Sequence, residues 1–239
     1  MVSGLLLRGL LAGMIAGLFA AAFSFAAGEP PLERALDFEA AMASAAKPGT
    51  EIVSRSTQRG AGLFSAHIVY GAAAGGLFSL VFALIFGRVG DIGPRVLAAL
   101  LALGAFIALV LVPELKYPAN PPGIGAEETI GARTALYFAM LALSLLAMIL
   151  AVTLGVILAS RHGPWASAII TAAVFLFVAG IAGAALPRIN EVPAGFPASV
   201  LWNFRLASLA ARAVLWGVLG LAFGAMAQKW LERGQPNRV

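Results

Sequence analysis

Two short stretches of an otherwise apolar sequence contain many of its prolines together with glutamate and asparagine. Residues 111–129, here called loop A, read LVPELKYPANPPGIGAEET, and residues 186–197, called loop B, read LPRINEVPAGFP. Each stretch ends a long apolar run. Carboxylate and carbonyl oxygens are common ligands of divalent cations. The two loops therefore predict either a cation-binding vestibule or a set of polar contacts that hold neighbouring helices together.

One histidine and four oxygen-bearing side chains are the candidate ligands of such an ion. His67 lies eight residues beyond Arg59, which places it roughly 12 Å into an apolar segment if that segment is helical. An ionisable residue at that depth is a candidate functional residue, although a neutral histidine bonded to a neighbouring helix is the commoner arrangement. The predicted metal ligands are His67, Glu114, Asn120, Asn190 and Glu191.

Glutamates and arginines at the ends of the apolar segments support a structural interpretation. Each of three polar loops contains a glutamate, and an arginine precedes or opens the next apolar segment, so the two could pair. Arg212 lies two turns deeper than Arg205 and would repel a cation unless a carboxylate neutralised it. The predicted members of ion pairs or of a vestibule are Glu29, Arg59, Arg133, Arg205 and Arg212, with Glu114 and Glu191 as further carboxylates.

The composition is that of an integral membrane protein. The 239 residues are 61% hydrophobic and 11% charged, and the mean hydropathy is +0.93, whereas soluble domains carry about 25% charged residues. The net charge of +5 is explained by cytoplasmic loops rather than by nucleic-acid binding. The absence of cysteine excludes disulfides and thiolate metal sites.

The apolar runs predict an all-α fold with six transmembrane helices. A crossing needs about 20 mostly apolar residues. The first run could be a signal peptide, but its length favours a helix that stays in the membrane. Lysine and arginine are denser on the side of the termini, which predicts that both termini are cytoplasmic. The predicted spans are 5–27, 62–86, 95–113, 134–159, 165–186 and 206–227.

A repeated pattern predicts three tandem two-helix hairpins within a single transmembrane domain of residues 1–239. Gly-Pro precedes or opens the third and fifth spans, a proline ends each of them, and a loop with Glu and Asn follows. Such units would be parallel pseudo-repeats, with boundaries at about 1–87, 88–162 and 163–239. Glycines four residues apart predict close helix contacts; they are Gly9, Gly13 and Gly17, Gly71 and Gly75, and Gly220 and Gly224.

Three stretches resemble the predicted cobalt transporter subunit family CbtA. They are LLLRGLLAG, VPELKYPANPPGIGAEETIGARTALYF and LPRINEVPAGFPASVLWNFRLASL, and the resemblance extends over essentially the whole chain. It implies a protein of the bacterial inner membrane that takes part in cobalt uptake linked to cobalamin metabolism. It also implies a small single-span partner, CbtB, that carries histidines. The family is described with five spans, one fewer than the six predicted here.

Two functions remain open from the residues and the resemblance. The first is the membrane component of a cobalt uptake system, with Co²⁺ as cargo and no cofactor. The alternative is a non-transporting scaffold or assembly subunit of a metal-uptake complex. The sequence lacks G-x-x-x-x-G-K-[ST], H-E-x-x-H and G-x-S-x-G. It is therefore predicted to be neither an ATPase nor any other enzyme.

Overall fold

The computed structural model describes residues 2–42 and 53–233, and within these ranges every regular element is helical. Three five-residue π-helical turns interrupt the helices, at Ser24–Gly28, Gln58–Gly62 and Ile107–Leu111. A short 3₁₀ turn covers Glu127–Thr129. The α-helices are α1 (Val2–Phe23), α2 (Glu29–Met42), α3 (Arg55–Thr57), α4 (Leu63–Ile85), α5 (Pro94–Phe106), α6 (Val112–Lys116), α7 (Ile130–Ala185) and α8 (Ala198–Arg233).

In the part of the chain that the structure describes, five continuous helical segments are long and apolar enough to cross a membrane, which confirms an all-α, multi-pass membrane protein. Predicted spans four and five fall within one of these segments, and the prediction of six separate spans differs from the observed count of five on this point. Each of the other four predicted spans matches a segment of its own, with the span 62–86 extending one residue past Ile85. The segments are Val2–Met42, Arg55–Ile85, Pro94–Lys116, Glu127–Ala185 and Ala198–Arg233.

The long helix α7 is broken at Gly163, where φ is 77° and ψ is 167°. A straight helix of its 56 residues would be about 84 Å long, against roughly 30 Å for the hydrocarbon core of a bilayer. The chain instead folds back, since the Ser167 hydroxyl donates to the carbonyl of Gly155. Glycine tolerates this positive φ, and Pro164, which has no N–H, begins the next helical stretch.

The two stretches of α7 pack against each other through small and aromatic side chains. Ala147 and Ala151 on the first stretch form a buried cluster with Phe175 and Ala179 on the second. Further apolar side chains cover this cluster, among them Ile107, Val112 and Val174. The break between the predicted spans 134–159 and 165–186 therefore coincides with a reversal of the chain.

The chain divides into two compact units. Unit 1 contains Met1–Leu103, Pro121–Gly123 and Pro197–Val239, and unit 2 contains Gly104–Asn120 and Ile124–Phe196. In unit 1, α1 packs against both α4 and α8. In unit 2, the core is the cluster between the two stretches of α7. The division into three hairpin repeats stays a prediction.

Glycines bring the backbones of α1 and α4 into contact, as their spacing predicts. A Cβ atom on Gly13 would collide with the backbone of Gly71, and one on Gly17 would collide with the carbonyl of His67. Because both obstacles are backbone atoms, no side-chain rotation can relieve the collision. The absence of side chains at these glycines thus lets the two helices approach closely.

Aromatic side chains join α4 to α8 on another face of unit 1. Phe78 packs edge-on against Phe223, with ring centroids 5.3 Å apart, and Phe82 does the same at 5.0 Å. Trp216 lies beside Phe78 at 6.4 Å. Such aromatic pairs contribute about 0.5–1.5 kcal/mol beyond the area that they bury. Unit 1 therefore combines a glycine contact with an aromatic one.

We expect Gly13→Ala to destabilise the protein, because its methyl group would meet the backbone of α4. Overpacking of this kind costs about 1–3 kcal/mol. Gly217→Ala is the matched control, since Gly217 lies on α8 with nothing within 4 Å of an added Cβ. The measurement is thermal unfolding of the purified protein in detergent. An equal midpoint for the two variants would show that the α1–α4 contact does not limit stability.

Candidate functional site

The polar end of unit 1 is closed by two ion pairs, here called the clasp, formed by Glu29, Glu33, Arg55 and Arg59. Arg55 donates to the Glu29 carboxylate, and Arg59 donates to the Glu33 carboxylate at 2.6 Å. The glutamates lie on α2, and the arginines lie on the segment that leads into α4. The two glutamates are four residues apart, and so are the two arginines. The clasp therefore joins one helical turn of α2 to one helical turn of the segment before α4.

The clasp corrects the predicted pairing by one helical turn. Glu29 and Arg59 were expected to form one pair, whereas each of them contacts a residue that the sequence analysis had not singled out. Glu29 is 4% exposed and Arg55 is 31% exposed, while both side chains of the other pair are above 40%. Removing one partner of a buried pair is costly, and exposed pairs contribute about 0–1 kcal/mol. The inner pair therefore dominates the stability of the clasp.

Two of the three π-helical turns contain the residue four positions before a proline. Pro31 and Pro113 lie four residues beyond Ala27 and Leu109, which belong to the turns Ser24–Gly28 and Ile107–Leu111. A proline inside an α-helix clashes with the carbonyl four residues earlier. The wider turn relieves this clash and lets the helix continue past the proline. Turns of this kind frequently occur at functional sites.

His67 makes a hydrogen bond through each of its ring nitrogens. Its Nδ1 lies 2.9 Å from the carbonyl oxygen of Leu63, which can only accept, so Nδ1 carries a proton. Its Nε2 lies 3.1 Å from the hydroxyl of Ser24. In the neutral ring, Nε2 is therefore the acceptor. A carbonyl at Nδ1 is typical of metal-binding histidines, but a metal ion at Nε2 would first have to displace Ser24.

Loop A and loop B of unit 2 are joined by the carboxylate of Glu191. Its Oε2 accepts from the backbone N–H of Ala126 at 3.0 Å and from the hydroxyl of Thr129 at 2.8 Å. The Nε of Arg133 lies 3.4 Å from the same oxygen. The Thr129 hydroxyl is the main reason that the pKa of Glu191 lies below its usual value, with Ala126 and Arg133 adding to the effect.

Two side chains at the end of α6 strengthen the connection between the loops. The amine of Lys116 donates to the carbonyl of Leu186 at 2.7 Å, and the hydroxyl of Tyr117 donates to the carbonyl of Pro187 at 2.7 Å. Burial raises the pKa of Tyr117, so the phenol remains protonated and able to donate. Lys116, Tyr117 and Thr129 were not among the predicted site residues, although all three lie in loop A.

The other predicted site residues occupy separate places. Glu114 lies on α6 and is 8% exposed, and Asn120 is exposed in loop A. Asn190 is exposed and lines an open pocket of about 510 Å³ in unit 2, beside Lys116 and Arg188. The predicted ion-pair residues Arg205 and Arg212 lie on α8 with half-buried side chains.

Within residues 2–42 and 53–233, no three His, Cys, Asp or Glu side chains are close enough together to hold a metal ion. Of the predicted ligands, His67 belongs to unit 1, and Glu114, Asn120, Asn190 and Glu191 belong to unit 2. One oxygen of Glu191 accepts two hydrogen bonds and also forms an ion pair with Arg133. The arrangement of Glu191 therefore supports a connecting role, and the metal-binding role of the five residues stays a prediction.

Comparison with known proteins assigns a family. The family model described as "Probable cobalt transporter subunit (CbtA)" matches residues 2–228, nearly the whole chain. No curated protein and no solved structure matches the chain.

We expect acid to weaken the connection between loop A and loop B. The folded state lowers the pKa of Glu191, so its ionised form stabilises the fold above the unfolded pKa. This stabilisation is lost as the pH falls through the folded pKa. Wild type should therefore be more heat-stable than Glu191→Gln at neutral pH, and the difference should shrink in acid.

Thermal unfolding of both proteins between pH 7 and pH 3, in the same detergent, measures this difference. Glu128→Gln is the control, because Glu128 is an exposed carboxylate of the same loop region. It should follow wild type at every pH. A Glu191→Gln protein as stable as wild type at neutral pH would contradict the connecting role.

Proposed function

We propose that this chain, which belongs to the CbtA family of probable cobalt transporter subunits, is the membrane component of a bacterial cobalt uptake system. The family match over residues 2–228 is the observation that carries this proposal. The family consists of transporter subunits and not of enzymes. A subunit implies a partner, and we propose the small histidine-bearing protein CbtB in that role. We further propose that the cobalt supplies cobalamin metabolism.

We propose a topology of six crossings in the bacterial inner membrane, with both termini in the cytoplasm. The reversal at Gly163 supports it, since the two stretches of α7 run back along each other and each is long enough to cross. Arg161 and His162 are exposed at this turn. Basic residues at a short turn favour the cytoplasmic side. The clasp, loop A and loop B would then face outward.

The ligands for Co²⁺ would come only partly from this chain. Imidazole and carboxylate are suitable ligands for such an ion, and we propose His67 and Glu114 as the two inner candidates. His67 lies on α4, and Glu114 lies on α6, the helical part of loop A. Asn120, Asn190 and Glu191 are candidates for a looser outer contact with the hydrated ion. The remaining ligands would be histidines of the partner.

The alternative function is a scaffold that holds the metal-uptake complex together without binding the ion. The connecting role of Glu29, Glu33 and Glu191 favours this alternative, because each of these carboxylates already accepts donors from the chain itself. Transport and scaffolding differ in one measurable respect. If the chain is only a scaffold, the complex should transport normally with any polar-residue variant of it that keeps normal abundance and assembly.

Cysteine labelling tests the topology, since the sequence contains no cysteine. We expect Ala194→Cys in loop B to react with a membrane-impermeant reagent in intact cells. We expect His162→Cys to react only after the membrane is opened. If the second stretch of α7 does not cross, these two positions lie on the same side. Equal labelling of both variants in intact cells would therefore reject six crossings.

Cobalt uptake into proteoliposomes tests the function. We expect accumulation of Co²⁺ when the chain is reconstituted with its small partner, and little without it. Mutating a residue that only supports a metal ligand lowers metal affinity or activity by about 10–100-fold. Losing a ligand itself, by His67→Phe or Glu114→Gln, should therefore lower uptake by about tenfold or more. Glu33→Gln is the control, because Glu33 forms the exposed pair of the clasp.

Each variant is compared at equal protein content and after a check that it is monodisperse in detergent. Uptake by Glu33→Gln should match wild type. Normal uptake per molecule in both His67→Phe and Glu114→Gln would remove these residues from the ion's path and favour the scaffold. No uptake by wild type with its partner, at full incorporation, would contradict cobalt transport by this pair of proteins.

A further inference from the structure

An open pocket in unit 2 has a lining that suits an anion and not a cation. Its volume is about 510 Å³, and it lies where α6 and the end of α7 meet loop B. Two of the lining side chains are cationic, one is an amide, and none is acidic. The lining residues include Leu115, Lys116, Gly183, Ala184, Arg188 and Asn190.

The two cations of this pocket keep donors available for a ligand. Lys116 uses one N–H on the carbonyl of Leu186, and an ammonium group has three. Arg188 is exposed, and it forms no ion pair with any carboxylate of the residues that the structure describes. The neighbouring carboxylate of Glu191 is held by Thr129, Ala126 and Arg133. The positive charge of the pocket is therefore not neutralised by its own lining.

The position of the pocket along the helix indicates where the anion comes from. Gly183 and Ala184 belong to the last turn of the apolar helix α7, which ends at Ala185. Leu115 is 76% exposed on the rim. An exposed leucine next to a lysine and an arginine matches the boundary between hydrocarbon and headgroups, where long basic side chains reach the polar region. Tyr117 follows Lys116 directly, and its hydroxyl donates to the carbonyl of Pro187, next to Arg188.

We propose that this pocket binds the phosphate of an anionic phospholipid headgroup. Lys116 and Arg188 supply the positive charge, and the amide of Asn190 supplies a neutral donor. The acyl chains of the lipid run along the apolar surface below Leu115. Basic pockets between membrane helices bind anionic headgroups in this way. The bound lipid would stabilise the attachment of loop B to α6, and it would also occupy Asn190, one of the outer candidates for the cobalt ion.

Native mass spectrometry of the purified protein tests the proposal. The protein is mixed with phosphatidylglycerol or with zwitterionic phosphatidylcholine, and the bound lipid is counted. We expect wild type to retain phosphatidylglycerol preferentially. Arg188→Gln should weaken that preference by about fivefold, because a basic residue near an anionic headgroup contributes about that factor. The same change at Lys116 should have a similar effect, with some loss of thermal stability because it also removes a hydrogen bond.

Arg161→Gln is the matched control, since Arg161 is an exposed arginine of unit 2 that does not line the pocket. It should keep the preference of wild type. Equal retention of both lipids by wild type would overturn the proposal, and so would a loss in Arg161→Gln as large as that in Arg188→Gln. Displacement of phosphatidylglycerol by inorganic phosphate at equal concentration would also overturn it, because the site would then be one for free anions.

Discussion

The contact between the backbones of α1 and α4 is the constraint on which unit 1 depends. Gly13 and Gly17 have no side chain, so the helices meet atom to atom at the backbone. Both helices continue outward from this contact, and their separation there is fixed. This explains why Ser24 reaches the ring of His67 and why the glutamates of α2 meet the arginines that precede α4. The polar contacts of the unit thus follow from an apolar one.

Unit 2 reaches a comparable result by different means. Its two stretches of α7 are held by small and aromatic side chains, and the chain between them turns at a single glycine. At the opposite end, Lys116, Tyr117 and Glu191 attach loop A to loop B through backbone carbonyls, a backbone amide and a hydroxyl. Most of these contacts use the main chain. They therefore hold the loops in position without depending on the residue type at most of the partner positions.

Much of the fold could be predicted because it depends on composition and on short spacings. The apolar runs predicted the helices, the four-residue spacing of Gly13 and Gly17 predicted the close contact, and Gly163 with Pro164 predicted the turn. The pairing of charges could not be predicted to the residue. Glu29 meets Arg55 and not Arg59 because α2 continues directly from α1 through a π-helical turn. That turn fixes the rotation of α2, and the spacing of the charges along the sequence does not indicate which of them then meet.

The discontinuity of unit 1 along the chain has a consequence for the order of folding. Helix α1 packs against α4, which follows it closely, and also against α8, which begins at Ala198. The first of these contacts can form early, but the second must wait until almost the whole chain has been made. In unit 2, the two stretches of α7 lie close together in sequence, and Ser167 already contacts Gly155 across their turn. Since local contacts form faster than distant ones, α7 can close on itself while α1 and α4 still await their last neighbour.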